Sequence, residues 1–364
     1  MYLNRLQVRN FRIVREAELE FGPGFNWITG ENGSGKTSLL EALTVLARGR
    51  TFRATRIAGL IRDGESALQV VAHKSRSGGT RGGVLGVERR SADWEGRIDG
   101  QSIRRISEFA RCLPLVIFEP GSHGLVDGPP EVRRQFLDWT MFHVEPDYLQ
   151  HWRDFARALK QRNAGLRDHR PEEWIRSLDE PLAHHATRID QWRRSLVDQL
   201  AAGVPAMMAE IGIRISQLEI SYRPGWPAEM DFSEALSEGW TMDRERGFTG
   251  RGPQRGELEL RVDGRLAGGQ LSRGQQKLVS LGLLLNQHRI LAKALETPPM
   301  LLLDDPVSEL DSDHLDRLLG WVERQDAQVL VTAVSQPRVR ASQGHPDQGG
   351  RVFHVEQGSV RSVV

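Results

Sequence analysis

"GENGSGKTSLLEAL", residues 30–43, decides the fold. Gly30, four residues and then Gly35-Lys36-Thr37 fit the pattern G-x-x-x-x-G-K-[ST]. "FNWITG" before it is a short apolar strand. "KTSLLEALTVLARG" after it carries Leu39, Leu40, Leu43 and Leu46 at helical spacing and stops at Gly49. A glycine turn between strand and helix lets backbone N–H groups face inward around phosphate oxygens. The helix N-terminus adds partial positive charge there. In such a loop Lys36 reaches the β- and γ-phosphates and Thr37 holds magnesium.

A second stretch completes the pattern. "LLLDDPVSELD", residues 301–311, is an apolar run that delivers acids at its end. That describes a buried strand with Asp304 placed to hold magnesium and Asp305 placed to polarise an attacking water; capping of the next helix is the plainer use of the same acids. "LSRGQQK", residues 271–277, opens a helix and is a second anion-binding turn by the same N–H and dipole logic. Ser272 and Gln275 also have capping-box spacing. One γ-phosphate does not need two such turns from one subunit, so the second is expected to face another subunit's nucleotide.

Composition narrows the classes. The chain has 364 residues, 39% hydrophobic and 27% charged, with a formal net charge of +1, enough for a real core and two structural units. A neutral total leaves a local basic face possible. Cys112 is the single cysteine, so no internal disulfide forms; it is expected to be a buried small hydrophobe in a cytoplasmic protein. "MYLNRLQVRNFRIV" has scattered charges unlike a signal peptide, and the best apolar run, "LGLLL", is far short of a membrane span. The histidines lack ligand spacing, so no metal is expected beyond a nucleotide's magnesium.

The rest of the chain is organised around these motifs. Residues 65–105 read as short antiparallel strands with a hairpin at Asp99-Gly100, and "LPLVIF" (113–118) reads as a buried strand. Residues 130–213 are mostly helical. Trp152, Phe155, Ala156, Leu159 and Leu166 mark one apolar stripe, and Ile189, Trp192, Leu196 and Leu200 another. A helix of about 30 residues spans only about 45 Å, a stub arm. A hairpin at Asp263-Gly264, a helix over 272–294, a helix over 312–324 and the strand "QVLVTAV" follow. "SQPRVRASQGHPDQGG" is expected to be a mobile loop.

In order, these pieces resemble ABC-type ATPase heads, and more closely the RecF family of the SMC-like group. The resemblance covers nearly the whole chain: "NFR" at 10–12, "GRTFR" at 49–53, "LVDGPPEVRRQFLD" at 125–138, "ALKQRNAGL" at 158–166, "SYRPG" at 221–225 and "GPQRGEL" at 252–258, beside the motifs above. It implies an α/β fold: an ABC-type head with a mixed sheet and antiparallel meander, plus a short helical arm. The expected divisions are 1–125 (first lobe), 126–213 (helical insertion) and 214–364 (completion of the head). It also implies an ATP-gated dimer in which Arg12, Gly30, Asn32, Gly33, Gly35, Lys36, Thr37 and Ser38 bind ATP in cis and Ser272, Arg273, Gly274 and Gln275 act in trans. Thr37 and Asp304 take Mg2+. Asp305, where the usual catalytic glutamate stands, works with Asp304 and Lys36 in slow, switch-like, DNA-stimulated hydrolysis. DNA near gaps and junctions, RecR, RecO and, functionally, RecA are the implied partners.

This sequence departs from the family at Ser38 (usually Asn), at "PGSH" (120–123, usually PEDL) and at "GPQRGEL" (usually GPHRDDL); Thr332 stands near where ABC transporters place a histidine. For DNA, residues 151–170 hold six Arg/Lys against two Asp, with Arg153, Arg157 and Lys160 on one helix face and Arg162 close by. A second basic run is Arg48, Arg50, Arg53 and Arg56, of which Arg53 is the DNA candidate. A duplex backbone footprint fits better than single-strand stacking. Two alternatives share the motifs: an ATPase subunit of another ABC or SMC-like machine, and an ATP-binding scaffold without turnover.

Overall fold

The computed structural model describes residues 2–53, 57–75, 81–91, 93–335 and 350–363, and the side chains of all of these except 57, 58 and 81. Arg56 and most of the expected mobile loop after Val334 lie outside the described residues. In chain order the strands are β1 (Tyr2–Phe11), β2 (Val14–Glu20), β3 (Phe25–Thr29), β4 (Leu68–Ser75), β5 (Arg81–Arg89), β6 (Trp94–Ile98), β7 (Gln101–Ile103), β8 (Leu115–Phe118), β9 (Leu218–Arg223), β10 (Glu257–Val262), β11 (Arg265–Leu266), β12 (Met300–Leu303), β13 (Val329–Ala333), β14 (Arg351–Glu356) and β15 (Ser359–Ser362). The chain forms two compact units, one of Met1–Ser122, Glu210–Ile213 and Gln287–Val364, the other of His123–Ala209 and Arg214–Asn286.

The first unit holds a sheet in the order β15-β14-β3-β13-β12-β8. Strands β14, β3, β13, β12 and β8 run parallel. Strands β8, β12 and β13 are buried at every residue, and β3 at all but its first. A parallel sheet covered on both faces selects such continuous apolar runs instead of alternating ones. The glycine loop follows β3 and the acid pair follows β12. With β13 between them, both lie at the carboxyl edge of the sheet, where open α/β sheets bind ligands. The second sheet, β2-β1-β4-β5-β6-β7, is antiparallel. Asp99 and Gly100 both have positive φ, as a two-residue hairpin requires. Cys112 is half-exposed rather than buried, because it ends the Ile106–Cys112 helix at the rim of a cavity of about 580 Å³. Among the described residues, no helix is long and apolar enough to cross a membrane.

His288 is buried in this unit, edge-on to Trp321 and 3.0 Å from the Pro299 carbonyl. Burial pushes its pKa down to about 4, against the hydrogen bond to Pro299. Above pH 6.5 the imidazole is neutral in both folded and unfolded chains and contributes no pH dependence. Below that, the unfolded chain takes up a proton that the folded one refuses. Stability therefore falls from pH 6.5 to pH 4, by up to about 3 kcal/mol from this residue. His288→Gln is expected to flatten that slope in urea unfolding followed against pH; an unchanged slope would exclude His288 as its source.

The second unit is built on the helices Pro130–Val144, Tyr148–Arg167 and Asp179–Glu210, with the sheet β11-β10-β9. Its hairpin at Asp263-Gly264 forms as the sequence predicts, with both residues at positive φ. The expected boundary at 213/214 does not separate compact units. Residues 214–286, including the second anion-binding turn, group with the helices, and buried and half-buried arginines tie the two together. Arg133 meets Glu257 at 2.7 Å, Arg193 donates to the Pro253 carbonyl at 2.7 Å, and Arg162 donates to Asp243 and Thr249, each at 2.8 Å.

The apolar stripe of Tyr148–Arg167 is rotated from its expected place. Ala156 is exposed, while Phe155, Ala158, Arg162 and Leu166 face inward. Arg162 is fully buried and also holds Asp179 at 2.8 Å. It is therefore not a DNA contact, and the expectation that placed it in the footprint is corrected. Replacing Arg162 by Met leaves the buried Asp243 carboxylate, and the half-buried Asp179, without their ion-pair partner. A loss of about 3–5 kcal/mol in urea unfolding is expected; a loss below about 1 kcal/mol would mean that solvent reaches the network.

Candidate functional site

The loop after β3 takes a shape that few residues other than glycine permit. Gly30, Gly33 and Gly35 have φ of 149°, 78° and 114°. A Cβ at Gly30 would stand 2.2 Å from the Val355 carbonyl oxygen, so the position excludes any side chain. The Lys36–Arg48 helix starts directly from Gly35, and no side chain caps it. Its first N–H groups are left for a ligand. The Lys36 ammonium folds back on the loop and donates to the carbonyls of Gly30 (2.7 Å) and Glu31 (2.8 Å). Burial pushes its pKa down, opposed by the charges of Asp305 and Asp304. The Ser34 hydroxyl is buried without a hydrogen-bond partner. Ser38 is buried on the helix.

Three neighbouring strands bring the remaining groups together. The Thr37 hydroxyl donates to Asp304 Oδ1 at 2.8 Å, and the Thr332 hydroxyl on β13 donates to the same oxygen at 2.7 Å. The Asp305 N–H donates to Thr332 Oγ1 at 2.9 Å. Thr332 thus links both acids, a role that the strand-like run "VLVTAV" conceals. Asp304 is buried; that raises its pKa, while Thr332, Thr37 and the charge of Arg53 pull it back. Asp305 sits in the left-handed region (φ 51°, ψ 48°), and its Oδ1 is buried with no hydrogen-bond partner. Asp305 thus stands at the end of a core strand with a buried carboxylate oxygen that no protein group satisfies.

Arg12, also at positive φ, forms a two-point ion pair with Glu41, at 2.7 and 2.9 Å. Glu41 is fully buried on the loop helix and accepts a further hydrogen bond from Thr51. The pair fixes the β1–β2 turn against the helix that starts at Lys36. Arg53 is exposed, and its charge reaches Asp304, which connects it to this site. Arg48 instead donates to the Leu115 carbonyl at 2.9 Å and works as a structural tie.

In the second unit, Ser272, Arg273, Gly274 and Gln275 are all exposed at the start of the Arg273–Ala294 helix. The reciprocal capping box forms, with Ser272 N–H to Gln275 Oε1 at 3.0 Å and Gln275 N–H to Ser272 Oγ at 3.3 Å. Of the basic face, Arg157 is exposed and paired with Asp154 at 3.0 Å, Lys160 is exposed, and Arg153 is half-buried. The histidines that the sequence reading set aside do meet in space: His151, His184 and His185 have ligand atoms within 4.8 Å of one another. Sequence spacing missed them because two helices bring them together.

Comparison with known proteins gives one consistent answer. Residues 2–361 match the family model described as RecF/RecN/SMC N terminal domain. The chain is 38% identical over 361 residues to the DNA replication and repair protein RecF of Thioalkalivibrio sulfidiphilus, covering 99% of both chains. It is 35% identical over 364 residues to the RecF of Escherichia coli O139:H28, again covering 99% of both. A solved structure of the recombination mediator protein RecF with ATP in the RecFOR pathway superposes with a TM-score of 0.88 at 25% identity, covering 100% of this chain and 98% of that one. The Smc head domain of Pyrococcus furiosus shares the fold, with a TM-score of 0.58 at 14% identity, covering 100% of this chain and 96% of that one. The fold is that of an ABC-type ATPase head.

Proposed function

The chain belongs to the RecF/RecN/SMC N-terminal domain family and, within it, to the RecF proteins of DNA replication and repair; from this premise we propose that it is an ATP-gated switch that binds DNA in recombinational repair. One observation carries the reading: Thr37, Asp304 and Thr332 are joined in one hydrogen-bond chain beneath the glycine loop, with the unpartnered carboxylate oxygen of Asp305 beside them. The residues fit ATP with Mg2+. Loop N–H groups and Lys36 would hold phosphate, and the Thr37 hydroxyl and Asp304 are hard oxygen donors already in contact. When bound, magnesium neutralises charge that builds on the phosphates.

The chain's own residues supply the rest. Lys36 exchanges carbonyl partners for phosphate oxygens. Thr332 fixes the pair of acids, and Asp305 orients water and accepts its proton. Its short side chain suits slow turnover, which makes ATP a timer as well as a fuel. The exposed, self-capped Ser272 turn supports a role in trans, closing a second copy over bound ATP. Arg157, Lys160 and Arg153 remain the candidates for a duplex footprint, which DNA stimulation of hydrolysis would follow. The pathway of the similar solved structure supports RecR and RecO as partners, and the family resemblance supports RecA loading at gap edges. A single cysteine suits a cytoplasmic setting.

Light scattering tests the shared site. A dimer with magnesium and ATP, absent with ADP and without nucleotide, is expected. Ser272→Arg should abolish it while leaving ATP affinity within a few-fold. Monomer in all three conditions, with ATP binding shown separately, would sink the trans role.

A further inference from the structure

The histidine cluster lies outside the ATP site, and nothing in the proposed function uses it. His151 is on the Tyr148–Arg167 helix, and His184 and His185 are on the Asp179–Glu210 helix, all within the second unit. His151 Nδ1 and His185 Nδ1 face each other at 3.1 Å. Ring centroids are 5.0 Å apart for His151–His185, 5.0 Å for His184–His185 and 5.5 Å for His151–His184. Trp192 closes one side, edge-on to His151 at 5.2 Å.

We propose that His151, His184 and His185 form a binding site for a divalent transition-metal cation, zinc first, that clamps the two helices together. The geometry sets the argument. Zinc–imidazole bonds of about 2.0–2.1 Å at tetrahedral angles put neighbouring nitrogens about 3.3 Å apart. The Nδ1 pair already has that separation. The remaining ligand atoms lie within 4.8 Å, so they close by about 1.5 Å. His184 is exposed and has room to rotate. Imidazole is a borderline ligand that selects zinc, copper and nickel over magnesium or calcium. The Nδ1–Nδ1 contact is a hydrogen bond between two ring nitrogens, and a metal ion would replace its proton and take both lone pairs. Three groups set the local charge: Arg188 adds positive charge near His151, Asp147 adds negative charge near His151, and Asp154 adds negative charge near His151 and His185. Solvent takes the fourth position, because Asp154 is engaged by Gln150 at 2.6 Å and by Arg157.

The test uses the untagged full chain, stripped with chelator, then titrated with zinc against a chromophoric competitor and separately with cobalt. One zinc per chain with Kd of about 1 µM or tighter is expected, with visible cobalt bands of a tetrahedral site and a rise in Tm. His184→Gln, chosen because an exposed side chain is not needed for folding, should weaken zinc at least about tenfold and remove the Tm rise. His151→Gln should do the same. No zinc binding below about 100 µM would overturn the proposal. So would affinity unchanged in both variants, or metal that survives His184→Gln and disappears in Asp304→Asn, which would place it at the ATP site.

Discussion

Lys36→Ala is expected to lower ATP turnover at least about a hundredfold and to remove the rise in Tm that magnesium and ATP give the parent chain. The ammonium is already partly desolvated and held by the Gly30 and Glu31 carbonyls, so the loop has its charge in place before a nucleotide arrives. The charges of nearby Asp305 and Asp304 oppose the effect of burial. An incoming phosphate replaces two neutral acceptors with anionic ones, and such charge-assisted bonds are about twice as strong. Alanine removes the partner of the developing charge without disturbing the helix, since it is a good helix former. The apo stability of the variant should therefore stay within about 1 kcal/mol of the parent. Lys36→Arg should not rescue turnover, because a planar guanidinium is not a compact point charge. Turnover within threefold of the parent in Lys36→Ala would show that the loop N–H groups suffice and that the assigned chemistry is wrong.

Much of this site could be read from the sequence because its parts are local. The glycine loop and its helix are one continuous stretch, and their geometry follows from residue type. The apolar runs ending in Asp304 and Ala333 describe buried parallel strands by composition. Asp-Gly hairpins at 99–100 and 263–264 are fixed by the φ values those residues tolerate. What stayed hidden depends on partners distant in sequence. Arg162 shares its stretch with Arg157 and Lys160, but its ion-pair partners are Asp179 and Asp243, 17 and 81 residues away. Periodicity cannot distinguish an arginine facing water from one buried against two acids. Thr332 reads as an ordinary strand former until β12 and β13 pair and bring its hydroxyl to Asp304. His151 and His185 are 34 residues apart, beyond any short ligand motif, and only helix packing makes them neighbours.

The second large effect is expected for Asp305→Asn: hydrolysis should fall at least about a hundredfold, while ATP affinity stays within a few-fold and the ATP-bound dimer accumulates. The fold should tolerate the change. Asp305 occupies the left-handed region, and Asn is among the non-glycine residues most at home there. The backbone N–H that binds Thr332 is kept. What is lost is a carboxylate able to take a proton from water, and with it the charge beside Lys36. Asp304→Asn gives the contrast. It removes the carboxylate assigned to magnesium, so magnesium-dependent ATP binding should be lost. Because burial raises the pKa of Asp304, ionisation costs stability at neutral pH, and the neutral variant should have an apo Tm higher by roughly 2 °C or more. Dimer lifetime after removal of unbound ATP separates the two roles: Asp305→Asn should lengthen it, and Asp304→Asn should prevent the dimer from forming. Asp305→Asn hydrolysing at the parent rate would move the water-orienting role to another group. Hydrolysis lost without any gain in dimer would separate turnover from the switch and refute the proposal that hydrolysis is what opens it.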